Sequence, residues 1–530
     1  TLRVSVSSAG AQGDDLSAAP ALSADGRFVA FLSIASNLVP GDTNDMGDVF
    51  VRDRRLGTTQ RVSVGTDGAQ GNGNSYFPVL SADGRFVVFQ SDATNLVPGD
   101  TNRTNDVFVR DRRAGTTERV SISSAGVQGN DTSSEPVISA DGRFVAFSSR
   151  ATNLVPAAAD SARLAREPPG NRSNVYVRDR RAGTTRRVSV GSDGAEGDDN
   201  STAPAISADG RFVAFLSDAS NLVPDDTNGV NDVFVLDRRL GTIRRLSIGE
   251  AGAQSNDYSD HPALSADGRF VAFASRATNL VPGDSDSQGA YVRDRLAGTT
   301  ERVSVGLGGV VQRDGESYEP SISADGRFVA FTSDATNLVP GDTNGAGDVF
   351  VRDRQTGTTR RVSLGPRGVQ GNGESSASPI SADGQLVAFW SEATNLVPGD
   401  TNGQADVFIR DLQADTTQRV SIGQDGVQGN GRAGQMSMSA AGRFIAFESR
   451  ATNLVPGDTN HDDDVFVHDR RTGTTRRVSV GRDGAQGNEY SSSPAISADG
   501  RSIAFQSYAT NLVPGDINRG SDVFVRILAP

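Results

Sequence analysis

The chain has no cysteine and no lysine, and all 52 of its basic residues are arginine. The first absence excludes disulfides, thiolate metal sites, iron–sulfur clusters and cysteine nucleophiles. Three histidines in 530 residues leave little for metal ligation or acid–base work. Aromatics make up only 6% and the formal net charge is −13. Surfaces that bind nucleic acid show the opposite balance, a basic stripe interleaved with stacking aromatics, so no nucleic-acid partner is expected. No apolar run approaches the roughly 20 residues needed to span a bilayer, so no membrane insertion is expected. The chain opens at Thr1 with no leader, which reads as a processed or trimmed soluble protein in an extracellular or periplasmic setting.

What is abundant is punctuation. Sixty glycines and 21 prolines among 36% apolar residues describe many short hydrophobic bursts separated by turns, an all-β pattern. The bursts repeat. Ser-Ala-Asp-Gly starts at Ser23, Ser81, Ser139, Ser207, Ser265, Ser323, Ser381 and Ser497, and Ser-Ala-Ala-Gly starts at Ser439. The nine copies are spaced at 58 residues, except for a ten-residue insertion in the third, within 157–173.

Each copy carries four short β-type runs. In the second, Tyr76–Ser81 and Arg85–Ser91 are joined by an Ala-Asp-Gly turn, and Asp106–Asp111 and Glu118–Ile122 form a second hairpin. A four-stranded unit cannot bury both faces alone, and radial stacking as blades is the solution for a repeat of this length. The chain begins with a run matching a fourth strand, Thr1–Val6, and ends after a third strand. Pairing those ends closes a ring and leaves no free edge. The expectation is one domain over 1–530, a monomeric nine-bladed β-propeller with a wide central channel, one blade beyond the usual four to eight.

At these residues, Ser-Ala-Asp-Gly-Arg-Phe-Val-Ala-Phe-x-Ser followed by Asp-Val-Phe-Val-Arg-Asp and Thr-Thr-x-Arg-Val-Ser, the chain resembles the TolB-type, WD40-like repeat called PD40. It departs in having Ala rather than Pro before the turn Asp, and in its longer Asn-Leu-Val-Pro-Gly-Asp-Thr-Asn loop. Proteins similar to it include a periplasmic docking component, peptidase propellers and a few lyases. The resemblance implies the fold, and its functions are too various to carry over.

Features repeated in every copy read as blade structure. The Phe at Phe31, Phe89 and Phe147 and the loop pairs Leu38-Val39 and Leu96-Val97 read as packing between blades. The Gln at Gln12, Gln70 and Gln128, replaced by Glu196 in blade 3, reads as a hydrogen-bonder in a loop or between blades. Strand order puts the Asp-rich long loops on one face. The Asp-Arg-Arg turns, with Arg61, Arg119 and Arg187, fall on the other.

The most specific chemical pattern lies in the long loop, Asp-x-Asn-x-x-x-Asp. It occurs as Asp42/Asn44/Asp48, Asp100/Asn102/Asp106, Asp226/Asn228/Asp232, Asp342/Asn344/Asp348, Asp400/Asn402/Asp406, Asp458/Asn460/Asp464 and Asp516/Asn518/Asp522. Alternating oxygens in a tight turn suit Ca²⁺, which takes six to eight oxygen ligands, in a structural role. The same residues also build Asx-turns with no metal. Blade 5 has Asp284 and Asp286 but Gly289 in place of the last acid, and blade 3 loses the pattern to its insertion, which carries Arg163, Arg166 and Arg172.

Function confined to one place belongs where the repeat breaks. Four residues before each repeat Ser, near the channel mouth, stand Ala19, Phe77, Glu135, Ala203, His261, Glu319, Ala377, Gln435 and Ser493. Glu135, His261, Glu319 and Gln435 are the candidate ligand-binding residues, with Tyr258 and Asp260 beside His261. No Gly-x-Ser-x-Gly elbow or histidine cluster accompanies them. The expectation is a non-catalytic binding scaffold for a protein or glycan partner. The alternatives are a lyase or hydrolase acting at the channel mouth, and a purely structural module of a larger surface protein.

Overall fold

The repeat serine closes the first hairpin of its blade from both sides. Ser81 Oγ donates to Asp83 Oδ1 at 2.6 Å, and the Phe86 N–H donates to Ser81 Oγ at 3.0 Å. Gly84 completes the turn at φ +66°, and a Cβ there would lie 2.3 Å from the Phe28 ring of the preceding blade, so this glycine serves both turn and junction. The strands of blade 2 are Ser75–Leu80, Phe86–Ser91, Asp106–Asp111 and Thr116–Arg119. The fourth runs earlier than the expected Glu118–Ile122. Its ladder spans Asp111↔Thr116 to Phe108↔Arg119, and the chain then bends where the Val120 and Ser121 N–H groups share the Val107 carbonyl at 2.8 and 3.4 Å. Ile122 is left to pair with Gln128 alone.

The computed structural model describes residues 1–156, 172–284, 287–312 and 314–528. It contains nine four-stranded antiparallel sheets, each in the order first, second, third and fourth strand. Neighbouring blades touch through their first strands, which places those strands innermost. Closure follows the expected route with a shorter strand. Leu2–Arg3 pairs with Asp522–Ile527 through Leu2↔Val525 and Arg3↔Phe524, and the Val4 N–H continues to Val523 O at 2.8 Å. The ring is therefore a nine-bladed β-propeller whose last blade, Ser491–Ile496, Ser502–Ser507 and Asp522–Ile527, is completed by the N-terminal strand.

The core lies between blades. Phe31 and Phe50, paired across the second and third strands, stack at 5.7 Å and 22°. With Val29, Ala35 and Leu38 they pack on Val4, Ala504, Val523 and Val525 of the neighbouring blade. Burying one such side chain contributes about 1.5–3 kcal/mol, and the arrangement recurs around the ring. On the hairpin face the Arg112 guanidinium lies 4.1 Å from the centroid of the Phe28 ring, again across a junction. A hoop of backbone bonds runs through the turns, from Ala24 N to Ala82 O, Ala82 N to Ala140 O and onward to Ala498 N and Ala24 O, at 3.0–3.1 Å. Among the described residues the one step without this bond is Ala208 to Ala266, between blades 4 and 5.

The innermost strands carry a feature that the sequence reading missed. Ala19, Phe77, Glu135, Ala203, His261, Glu319 and Ser493 all have φ between +51° and +53°, and the strand register shifts at each. Each of the seven precedes a proline: Pro20, Pro78, Pro136, Pro204, Pro262, Pro320 and Pro494. Proline has no N–H for the ladder and bars its predecessor from the right-handed helical region, and among the described residues the left-handed φ is found at this position only in these seven blades. Blades 7 and 8, with Ser378 and Met436 at the proline position, also shift register but keep an extra pair, Ala377↔Phe389 and Met436↔Phe447.

Candidate functional site

The acidic loops come together around a cation, and the cation is arginine. In blade 1, Arg61 Nη1 lies 2.9 Å from Asp42 Oδ1 and 3.0 Å from Asp48 Oδ2. The other six complete loops repeat this. Asp100 and Asp106 flank Arg119, Asp226 and Asp232 flank Arg245, and Asp342 and Asp348 flank Arg361. Asp400 and Asp406 flank Arg419, Asp458 and Asp464 flank Arg477, and Asp516 and Asp522 flank Arg3. Across the seven, the first Asp lies 2.8–3.1 Å from the guanidinium and the last 3.0–3.6 Å. Arg61, Arg119 and Arg187 were expected on the opposite face. On the fourth strand Thr59 and Arg61 point to the same side, inward, and the buried arginine stem carries its charge to the long loop.

The asparagines, expected either as alternating calcium ligands or as Asx-turn residues, are hydrogen-bonded within their own loops. Asn44 accepts from the Met46 N–H at 3.2 Å and donates to Gly71 O at 2.6 Å. Asn102, Asn228, Asn344, Asn402, Asn460 and Asn518 are placed alike, each accepting from the N–H two residues on at 2.9–3.3 Å. Their amides donate at 2.7–2.8 Å to the carbonyls of Gly129, Ser255, Gly371, Gly429, Gly487 and Gly13 respectively. The side-chain oxygen of each Asn is thus turned to its own loop while the guanidinium stands between the acids. The reason is geometric: an Asx-turn points the amide oxygen at the backbone.

The rest of the cluster joins blades. Gln70 Nε2 donates to Asp42 Oδ1 at 2.6 Å, and the Gln70 carbonyl accepts from Asn95 Nδ2 of blade 2 at 2.6 Å. In blade 2, Ser121 Oγ donates to Asp106 Oδ1 at 2.6 Å. In blade 4, Asp232 is fully buried and accepts from both Ser247 and Ser255 while lying 3.2 Å from Arg245 Nη1. Among the described residues no group of three or more His, Cys, Asp or Glu side chains is placed to hold a metal ion.

The two irregular blades show which member is constant. Asn174 stands where blade 3 would have its last acid, and Glu196, the residue that replaces the repeated Gln, lies 3.1 Å from Arg187 Nη2 and accepts from Asn174 Nδ2 at 2.9 Å. Arg172 Nη1 donates to Gly197 O at 3.1 Å, the bond that Asn44 makes in blade 1. In blade 5, Arg302 pairs with Asp284, which also accepts from Tyr291 Oη at 3.0 Å. The arginine is present in all nine blades, and the carboxylate opposite it comes from whichever loop supplies one. Residues 157–171, including Arg163 and Arg166, and Asp286 lie outside the described residues.

Two acids against one guanidinium leave an excess negative charge in a buried place. Burial pushes Asp48 up to about 6 against the pull of Ser63 and Arg61, and does the same to Asp106, Asp348 and Asp406. Asp464 and Asp522 are pushed to about 7, again chiefly by burial. On the other face Arg27 holds Asp53 through Nε at 3.0 Å and Nη2 at 2.6 Å. Burial raises Asp53, but the bonds from Arg27 and from the Leu56 and Arg55 N–H groups outweigh it and hold the acid below its usual value. The pH dependence follows from both sets. Stability from the raised acids is present in full below the unfolded carboxyl value and is lost as pH rises through 6 and 7, whereas stability from the Asp53 type is lost on acidification below about 4. The melting temperature is therefore expected to peak at about pH 4 and to be lower at pH 8. A steady rise from about pH 4 to 8 in a thermal melt would contradict the upward shift of these buried acids.

The channel-mouth residues fall on the bulges of the innermost strands, with exposed side chains. Glu135 accepts from Ser148 Oγ at 2.8 Å and from the Ala203 N–H of the next blade at 3.0 Å. His261 Nδ1 lies 3.0 Å from Asp260 Oδ1, and no described hydrogen bond or ion pair joins His261 to Glu319. Gln435 sits in the register shift of blade 8 without the left-handed backbone. Phe77, 66% exposed, stands beside Tyr76 with ring centroids 6.2 Å apart. His468 is buried against Thr475 at 2.9 Å, and burial lowers it to about 4, which keeps it neutral.

No family model and no curated protein matches the sequence. Solved structures similar to it include a prolyl endopeptidase at 12% identity, with 82% of this chain and 54% of that one covered and a TM-score of 0.40. An oligogalacturonate lyase in complex with manganese matches at 12% identity over 86% of this chain and 98% of that one, with a TM-score of 0.39. TolB from Acinetobacter baumannii matches at 16% identity over 77% and 82%, with a TM-score of 0.28. The chain spans about half the length of the prolyl endopeptidase. No activity passes from these proteins to this one, and the fold rests on the strand register above.

Proposed function

We propose that the chain is a non-catalytic binding scaffold for a protein or glycan partner, presented by a rigid ring in an extracellular or periplasmic setting. The observation that carries this reading is the engagement of the acids. Carboxylates that would otherwise serve as ligands or acid–base groups are held by the nine repeated arginines. The side chains that vary from blade to blade are instead displayed on the inner bulges, where the exposed Phe77 beside the half-buried Tyr76 offers an aromatic surface of the kind partners dock on.

The arginine-centred loops then act as latches that need no added cation. Calcium at Asp42, Asn44 and Asp48 and their equivalents is the competing proposal, and it requires ionised acids and a displaced guanidinium. A thermal melt decides between them, because a ligand bound only by the folded state raises the melting temperature. EDTA and saturating Ca²⁺ are expected to leave the melt unmoved at pH 8. A calcium-specific rise would establish the metal reading.

One observation favours an enzyme, the His261–Asp260 pair at 3.0 Å, which could orient an imidazole at the bulge ring. The test is turnover of polygalacturonate, aryl esters and prolyl peptides by the protein and by a His261→Ala/Glu319→Ala variant. No turnover is expected from either. Activity lost in the variant would replace the scaffold reading with a lyase or hydrolase.

A further inference from the structure

Nine junctions built from one repeat provide an internal comparison. At each, three positions meet: the residue before the latch arginine on the fourth strand of one blade, and two positions at the end of the third strand of the next. Between blades 1 and 2 these are Gln60, Arg110 and Arg112, and between blades 2 and 3 Glu118, Arg178 and Arg180. Glu118 pairs with Arg180, and Glu301 pairs with Arg354 at the equivalent place between blades 5 and 6. At the junction of blades 3 and 4 the set is Arg186, Leu236 and Arg238, and at ring closure it is Leu2, Arg52 and Arg54. Only between blades 4 and 5 are all three arginine, Arg244, Arg293 and Arg295.

No described carboxylate lies in ion-pair contact with any of these three guanidinium groups. Arg293 donates to Thr300 Oγ1 at 2.8 Å, and Arg295 donates to Gly268 O at 2.6 Å while its guanidinium lies 3.7 Å from the Phe212 ring centroid. Burial lowers both Arg293 and Arg295; Arg244 lowers Arg293 further against the pull of Asp294, and at Arg295 the nearby Asp237 works against burial while Arg211 and Arg244 add to it. In blade 2 the residue equivalent to Arg293, Arg110, also donates to a loop carbonyl, Gly65 O, at 3.2 Å. Here, as at the three junctions that follow, the loop contains a 3-10 turn, Glu250–Gly252 in this case, and Arg293 makes no such bond.

Two cavities open at the same place. One, of about 350 Å³, has walls that include Val223, Pro224 and Ile248 and also contains all three arginines. The other, of about 380 Å³, lies on the hairpin face beside the exposed Leu240 and Leu296 and shares Arg244 and Arg295 with the first. This is also the junction where the backbone hoop lacks its bond, Ala208 to Ala266. Three arginines, apolar walls and the missing hoop bond are thus found together, with Asp209, Asp237 and Asp267 also lining the hairpin-face cavity.

We propose that the groove between blades 4 and 5 binds a small amphiphilic anion, a carboxylate or phosphate head held by Arg244, Arg293 and Arg295 with an apolar chain lying against Val223, Pro224 and Ile248. Arginine forks match the oxygen geometry of either head, and the volume lies within the range of small-molecule sites. The site is separate from the inner bulges and does not depend on what they bind.

Isothermal titration of the full chain with decanoate, decyl phosphate, decanol and inorganic phosphate tests this. Decanoate or decyl phosphate is expected to bind saturably below its micelle concentration, and the two arms show which head is preferred. Decanol is expected not to bind, and inorganic phosphate to bind at least tenfold more weakly than decyl phosphate. An Arg244→Gln/Arg293→Gln variant is expected to lose at least tenfold in affinity, whereas Arg360→Gln, the Arg244 position two blades on, leaves affinity unchanged. Because these arginines lack acid partners, the double variant is expected to melt no lower than the parent without ligand. Undiminished binding by the double variant, equal binding of inorganic and decyl phosphate, or no saturable binding of either amphiphile overturns the proposal. So does a lower melt of the unliganded double variant, which would mark the arginines as structural.

Discussion

An Arg61→Met variant will lose about 3–5 kcal/mol of stability, because removing one partner of a buried ion pair strands the other without compensation. Here the stranded groups are Asp42 and Asp48, whose side chains are 4% and 1% exposed. The urea midpoint reads the loss. Adding Asp48→Asn to the Arg61→Met variant should recover part of it, because the neutral amide removes the uncompensated charge. A midpoint unmoved in Arg61→Met would mean that some other cation balances the acids. Recovery of that variant by Ca²⁺ would name it.

Deleting residues 1–6 should have a larger effect. The deletion removes Arg3 from between Asp516 and Asp522, itself a loss of about 3–5 kcal/mol by the same reasoning. It also takes Val4 out of the cluster with Phe31 and Val523 and leaves the edge of Asp522–Ile527 without a partner. An unpaired edge templates association. The truncated protein is expected to melt well below the parent and to elute as aggregate on size exclusion. A monomer with the parent melt would show that the ring holds without its closing strand.

The fold was legible because the 58-residue repeat and the mismatched ends leave one closed arrangement, and each strand needed only its local pattern. The boundary of the fourth strand was less so. Its pairing stops at Arg119, where Val120 and Ser121 share one carbonyl, and nothing in the composition of Arg-Val-Ser-Ile marks that bend. The acids of the candidate site were found, but their cation was not. Arg61 follows Asp42 by 19 residues, and only the fold brings the two into contact. A signal was present in the sequence: the arginine survives in all nine copies, and Glu196 replaces Gln in the blade that loses its loop acids. The proline that follows the left-handed residue of seven inner strands was likewise visible at a fixed place. The triple-arginine junction was not legible, because its three members come from two blades and separate only when the junctions are laid side by side.

The closing blade is assembled from the same parts as the six other blades whose acidic loop is complete. Arg3, Asp516, Asp522 and Gln12 repeat the latch of Arg61, Asp42, Asp48 and Gln70, and Ala498 passes the hoop to Ala24 as Ala24 passes it to Ala82. The place where the backbone is interrupted is therefore not singled out by its chemistry. A circularly permuted chain, with the present ends joined and new ones opened in the connector before another blade, would fold to the same disc, and the seam could be moved around the ring at will.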